Sequence, residues 1–369
     1  MIYLDHNASN LPDPRLLELM ITVLRESPAN PGSPHTPGRR ARRRIEQARE
    51  QLAEGLGFPV GQVTFCASGT EAINLALGGL VAPGDHVLSS AIEHKAVHAC
   101  LDRLADAGEI VHERIPVDAA GRLSIPAMQA LLRPETRLVA VMAANNEVGT
   151  VQDLAAIRAA LPEGVRLFSD GVQAVGRLAV DWSPVDAMTV SGHKLRAPKG
   201  AAALLTRKGL EPRPMLVGGS QERGRRAGTE DTAAIAALGE AVRLAGDGEL
   251  FDPAALREAR DAFEAALLAA APGLEITARE AERLPQTVHV ILPGMSSEEM
   301  ITRLDLEGIA VSAGSACSSG SLLPSHVLTA MGLSEDKARR ALRLSFGPET
   351  GPDELARVAA ALGAALSSS

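Results

Sequence analysis

Leu167-Phe168-Ser169-Asp170 and Ala187-Met188-Thr189-Val190-Ser191-Gly192-His193-Lys194 are short apolar runs, each closing on a reactive side chain. A lysine placed just after the hydrophobic segment 185–190 and a Ser-Gly-His turn can be largely desolvated. Desolvation lowers an amine's pKa and makes it a usable nucleophile toward a carbonyl. Asp170, closing the neighbouring run, is the carboxylate that keeps the nitrogen of a pyridine-type ring protonated and turns such a ring into an electron sink. Taken singly, a strand-end aspartate is ordinarily a turn former and a lysine a solvated charge. The two together, with Gln173, Ser191 and His193 around them, point to a site.

Outward from these runs, short apolar segments alternate with helical stretches. Strands are predicted over 63–66, 86–89, 109–112, 138–142 and 187–190, and helices over 71–80, 94–105, 125–132 and 154–161. This alternation predicts an α/β domain with a mainly parallel sheet. Ligands of such sheets bind beyond the carboxyl ends of the strands, where the residues above lie. An alanine-rich helix over 232–245 leads to Gly246-Asp247-Gly248-Glu249, a plausible boundary. Beyond it, a helix over 253–268, strands over 287–292 and 342–346, and a helix over 352–366 predict a smaller α+β domain. The expected division is a large domain of residues 15–248, with residues 1–14 and 249–369 forming the small one.

The chain has 369 residues, 46% of them hydrophobic, long enough for two buried cores. A net charge of −8 argues against nucleic-acid binding, which needs a basic face. The one basic run, residues 39–44, reads as a solvated helix start balanced by Glu46 and Glu50. No segment approaches the ~18 apolar residues of a membrane span. The charged Asp5 follows the start so closely that no signal peptide is expected. The three cysteines form no CxxC or Cys/His cluster, so neither a disulfide framework nor a metal site is expected. The chain reads as cytoplasmic.

A series of blocks carries a resemblance: Tyr3-Leu4-Asp5-His6-Asn7-Ala8, Ala29-Asn30-Pro31-Gly32-Ser33-Pro34-His35, Ala67-Ser68-Gly69-Thr70-Glu71, Ile92-Glu93-His94-Lys95 and Asn145-Asn146-Glu147-Val148-Gly149. The series continues with Ser169-Asp170-Gly171-Val172-Gln173, Ser191-Gly192-His193-Lys194, Gly228-Thr229-Glu230 and Gly314-Ser315-Ala316-Cys317-Ser318-Ser319. In this order, over nearly the whole length, the chain resembles the cysteine desulfurases, class V enzymes that use pyridoxal 5′-phosphate to take sulfur from L-cysteine. The resemblance implies the type I fold of pyridoxal phosphate-dependent transferases. It also implies a homodimer with shared active sites, and sulfur delivery to an acceptor protein such as an iron–sulfur scaffold.

Site roles follow from the same resemblance. Lys194 carries the cofactor and moves the substrate's α-proton, His94 stacks on the ring and acts as acid or base, and Asp170 holds the ring nitrogen. Gln173 faces the ring's phenolic oxygen, and Asn146 the same edge and the substrate carboxylate. Gly69, Thr70, Ser191 and His193 hold the phosphate, with Thr229 reaching that of the neighbouring subunit. The residues themselves offer plainer readings: a helix cap at Ser68–Thr70, a surface histidine at His94 and an edge-strand charge at Arg343. By resemblance Arg343 binds the substrate carboxylate, which a planar guanidinium grips bidentately. His6, His35, His98 and His326 have weaker claims.

Cys66 and Cys100 read as buried thiols in a strand and a helix. Cys317 lies among glycines and serines from 312 to 321, a composition that predicts an exposed loop open to attack chemistry. The resemblance makes it the acceptor of sulfur as a persulfide. Selenocysteine lyase or another class V aminotransferase is the nearest alternative, and a non-catalytic scaffold of iron–sulfur assembly the more distant one. Leu195-Arg196-Ala197 stands where many relatives carry an aromatic residue and a glycine, which puts Arg196 at the expected pocket entrance.

Overall fold

The structure is a computed structural model that describes residues 1–314 and 324–367. Its strands are β1 (Ile2–Tyr3), β2 (Val63–Cys66), β3 (His86–Ser90), β4 (Val111–Ile115), β5 (Thr136–Ala140) and β6 (Arg166–Asp170). They continue with β7 (Ala187–Ser191), β8 (Ala202–Thr206), β9 (Glu275–Ile276), β10 (Thr287–Ile291), β11 (Ile309–Ala310) and β12 (Ala341–Ser345).

A seven-stranded sheet runs in the order β2-β8-β7-β6-β5-β3-β4. From β7 through to β4 every pairing is parallel, and β8 is antiparallel to both its neighbours. Successive side chains alternate between two apolar layers. Leu88, Val139, Leu167 and Val190 enter one; Val87, Leu138, Phe168 and Ala187 enter the other. A sheet covered on both faces is largely apolar along its central strands, which is why these strands read as runs rather than as alternations.

The helices Thr36–Leu56 and Thr232–Gly246 pack closely against each other. The approach depends on Gly239, where a Cβ would stand 2.5 Å from the Ala48 Cα. A three-stranded antiparallel sheet, β12-β10-β9, lies later in the chain. The chain's start pairs β1 with β11 in a separate two-stranded sheet and reaches β12 through the His6 N–H bond to the Ser345 carbonyl and the Ser345 N–H bond to that of Leu4.

Several boundaries differ from the sequence expectation. The strand expected over 109–112 lies at Val111–Ile115. Gly108 takes φ +72° and Glu109 N–H bonds back to the Leu104 carbonyl, so these residues finish the preceding helix instead. The strand expected over 138–142 is Thr136–Ala140. β8 and the helix Pro14–Glu26 were not anticipated; β8 is alanine-rich, and alanine carries little strand signal. Of the arginine run, Arg42 meets Glu46 at 3.1 Å as expected, but also Glu230 at 3.0 Å.

Arg49, just beyond that run, is fully buried against Glu222 at 2.9 Å. Together they complete the outer edge of β2: Arg49 donates to the Val63 carbonyl, and Glu222 accepts from Phe65 N–H at 2.8 Å. Glu222 does this from a left-handed backbone, φ +49°. Replacing Glu222 leaves the buried Arg49 with only the partly exposed Glu46, at 3.1 Å, as a carboxylate partner. Glu222→Gln should therefore cost about 3 kcal/mol in urea unfolding, and no loss would mean that the pair carries no net stability.

Candidate active site

The carboxyl ends of the parallel strands surround a cavity of about 400 Å³. After β2, Ser68 caps the helix Gly69–Leu80 by accepting from Glu71 N–H at 3.2 Å. Ser68, Gly69 and Thr70 line the cavity, and the free backbone N–H groups of a helix start favour an anion. A Cβ added at Gly69 would stand 3.5 Å from the Ser191 Cβ, so the end of β7 and this helix start share one wall. The cap reading is therefore correct, and it coexists with a place in the cavity.

After β3, His94 caps the helix Lys95–Asp106, its Nδ1 accepting from Ala96 N–H at 3.1 Å. A neutral ring used in this way carries its proton on Nε2. His94 is half-buried and lines the cavity, not a surface histidine. Glu93 beside it is completely buried, with Oε1 accepting from Met142 N–H at 2.7 Å and Oε2 without a partner among the described residues.

Asp170, at the tip of β6, is buried and accepts from Val172 N–H at 2.9 Å. Burial pushes its carboxyl pKa up, and His94, the Val172 N–H and Lys194 oppose that rise. Burial holds Glu93 well above the ordinary carboxylate range, and Asp170 adds to the effect. Gln173 donates from Nε2 to the Asn7 carbonyl at 2.9 Å, leaving its buried Oε1 without a partner among the described residues.

The Lys194 Nζ donates to the carbonyls of Asn7 and Ala8, each at 2.6 Å. His193 lines the cavity, and its pKa falls to about 4 through burial first and then the nearby Lys194, Lys199 and Arg177. Asn146 also lines the cavity; its carbonyl accepts from Asn7 Nδ2 and from Arg343.

Arg343 is not an exposed edge charge. It is 1% exposed, held by Asp5 at 2.6 Å and by the Asn146 and Gly314 carbonyls at 3.0 Å. Its Nε has no partner among the described residues.

Thr229 does not line this cavity. It is exposed, beside a surface groove that includes Val23, Leu24 and Asn30. Cys317 lies outside the described residues. Cys66 and Cys100 are buried, and burial raises both thiol pKa values. Arg196 is not in the cavity wall; its guanidinium stands 3.5 Å from Glu349. The cavity also takes in Asn7, Ala8, Glu147 and His326. Three of these sit in quoted sequence blocks, but their contacts are with backbone atoms or side chains distant in the chain, which no block displays.

The class V aminotransferase family model matches residues 2–358. A cysteine desulfurase of Trichormus azollae is 39% identical over 368 residues, covering 97% of this chain and 91% of that protein. The chain belongs to the class V aminotransferases, among the cysteine desulfurases. It is an enzyme of a pyridoxal phosphate-dependent family. Two solved structures agree with this cysteine desulfurase fold. The NifS-like protein of Rickettsia africae matches with a TM-score of 0.90 at 32% identity, over 100% of this chain and 99% of its own. A protein called SspA, solved in complex with cysteine, matches with a TM-score of 0.83 at 32% identity, over 95% and 100%.

Glu93 gives the site a measurable pH signature. The unfolded side chain titrates near 4.5, while the folded one stays protonated to much higher pH. Between those values the folded chain holds a proton that the unfolded chain has released, so stability falls as pH rises through the window. Glu93→Gln keeps the acceptor for Met142 N–H and removes the titration. Its melting temperature should gain on that of the parent chain steadily from about pH 4.5 upward. A pH-independent difference would mean that Glu93 is not held neutral.

Proposed function

We propose that this protein binds pyridoxal 5′-phosphate in the cavity and removes sulfur from L-cysteine, releasing L-alanine and passing the sulfur through Cys317. The observation that carries this reading is the meeting of Lys194, Asp170 and His94 on one cavity with an anion-favouring helix start. The unpartnered Gln173 Oε1 and Arg343 Nε suit further polar contacts to a bound group.

Bound there, pyridoxal phosphate would supply an electron sink for negative charge at the substrate α-carbon. Lys194 would hold the group through Nζ and would move the substrate's α-proton. Asp170 keeps the ring nitrogen protonated; a cation at that place offsets the burial that raises the carboxyl pKa. Gly69, Thr70, Ser191 and His193 hold the phosphate, and His94 covers the ring. Asn146 and Arg343 orient the substrate carboxylate, with Arg343 itself oriented by Asp5.

At Cys317 a thiolate attacks the substrate sulfur. An S–S bond forms, the substrate's C–S bond breaks, and the carbon takes up a proton and leaves as alanine. The resulting persulfide passes its sulfur to an acceptor such as an iron–sulfur scaffold protein, in the cytoplasm.

The enzyme works as a homodimer in which Thr229 reaches the neighbouring subunit's phosphate. Its exposure away from its own cavity supports this, as do the exposed Met215, Leu216 and Val217, of which the Leu216 carbonyl accepts from Ala227 N–H. Residues 15–248 form the large domain, and residues 1–14 and 249–369 the small one, in keeping with the separate sheets.

Purified protein given L-cysteine should release equal amounts of alanine and sulfide under a reductant; a strong preference for L-selenocysteine would favour a selenocysteine lyase instead. Lys194→Ala should abolish both turnover and the borohydride-reducible lysine adduct. Cys317→Ser should keep the bound cofactor but fail to turn over, because a hydroxyl cannot store sulfur as a persulfide. Undiminished alanine release by Cys317→Ser would overturn the sulfur route. A Lys194→Ala chain mixed with a Thr229-disrupted chain should regain activity in heterodimers; a fully active monomer would exclude the shared site.

A further inference from the structure

Arg177 is among the largest fully buried side chains of the molecule, yet no carboxylate pairs with it among the described residues. A cation in such a place is costly, so its remaining contacts need a reason. Its Nη2 donates to the Lys194 carbonyl at 2.6 Å and its Nη1 to the Gln173 carbonyl at 3.2 Å. Its guanidinium lies 4.8 Å from the Phe251 ring centre. Burial brings its pKa down to about 9, which leaves it cationic at neutral pH.

The two carbonyls belong to the turns that leave β6 and β7, which pair through Asp170 and Thr189. The Gly192–Lys194 turn is a single short one. Beyond its own Leu195-to-Gly192 bond, the Lys194 peptide is held by Arg177 and by Asn10 Nδ2 at 2.8 Å. The neighbouring glycine shows how closely this corner is packed. Gly176 takes φ +77°, and a Cβ there would meet Ala245, Leu195 and Phe251 at 3.0 to 3.2 Å. Arg177 itself is not part of the cavity wall, so it acts through the residues it holds.

We infer that Arg177 is a positioning residue: it ties the Gln173 and Lys194 backbones at one spacing, so that the Lys194 amine meets the carbonyl of the cofactor whose ring edge Gln173 faces. The inference rests on the pyridoxal phosphate reading of the cavity. Backbone carbonyls explain the choice of arginine, because one planar fork can donate to two acceptors in fixed geometry.

The test compares two ligands of the same shape. Pyridoxal 5′-phosphate bonds to Lys194, whereas pyridoxamine 5′-phosphate carries an amine instead and cannot. Arg177→Met should weaken pyridoxal phosphate binding about tenfold, the effect of one lost charge-assisted hydrogen bond, and lower the borohydride-trapped adduct at Lys194. Its affinity for pyridoxamine phosphate should stay unchanged. Arg177→Lys, able to reach one carbonyl at a time, should fall between the two, and it carries the comparison if Arg177→Met does not fold. Equal weakening of both ligands, or none, would overturn the positioning role. Failure of the parent chain to bind either ligand would instead overturn the reading of the cavity.

Discussion

The Asn7 peptide carbonyl accepts both the Lys194 Nζ at 2.6 Å and the Gln173 Nε2 at 2.9 Å, and Asn7 itself is buried. Its side chain donates to Thr287 Oγ1 and the Asn146 carbonyl and accepts from Gln286, and its N–H donates to Ser345 Oγ. One residue near the chain's start therefore connects the ends of the parallel strands with β10 and β12. A carbonyl so placed must be satisfied, and both of its donors are cavity-lining side chains. The N-terminal segment is thus part of the site's floor rather than a trailing end.

The site collects buried polar groups that a purely structural core would avoid. Asp170 and Glu93 are both fully enclosed carboxyls whose pKa values burial drives upward, and Arg177 is a fully enclosed cation. Such groups are costly alone, and they concentrate where a ligand of matching charge completes them. Asp170 also raises the pKa of Glu93, so a neutral Glu93 spares the site a second buried negative charge.

Arg343 illustrates the same economy in geometry. Asp5 and two carbonyls occupy its Nη groups, which fixes the guanidinium plane while Nε stays unpartnered among the described residues. A side chain held on several sides has little freedom left for a further contact to take away. Asp5 and Asn7 come from the same N-terminal segment, so one short stretch orients both the amine and the guanidinium.

By itself, the sequence determined the alternating α/β order, because strands covered on both faces are largely apolar and announce themselves as runs. It also placed Asp170 and Lys194 at strand ends and ordered the family blocks, since local turn chemistry is written in adjacent residues. It did not show β8, whose alanines carry little strand preference, nor the boundary at Gly108, where a helix ending displaced the start of β4. Nor did it show that Arg343 is buried. The register of β12 beside β10 and its ties to the chain's start, some 340 residues away in sequence, bury that side chain. The roles of the Asn7 and Ala8 carbonyls, and the clamp of Arg177 on two peptide groups, came from the tertiary structure alone. Every residue carries a carbonyl, so no residue type in the sequence marks which of them a folded chain brings to a lysine or arginine side chain.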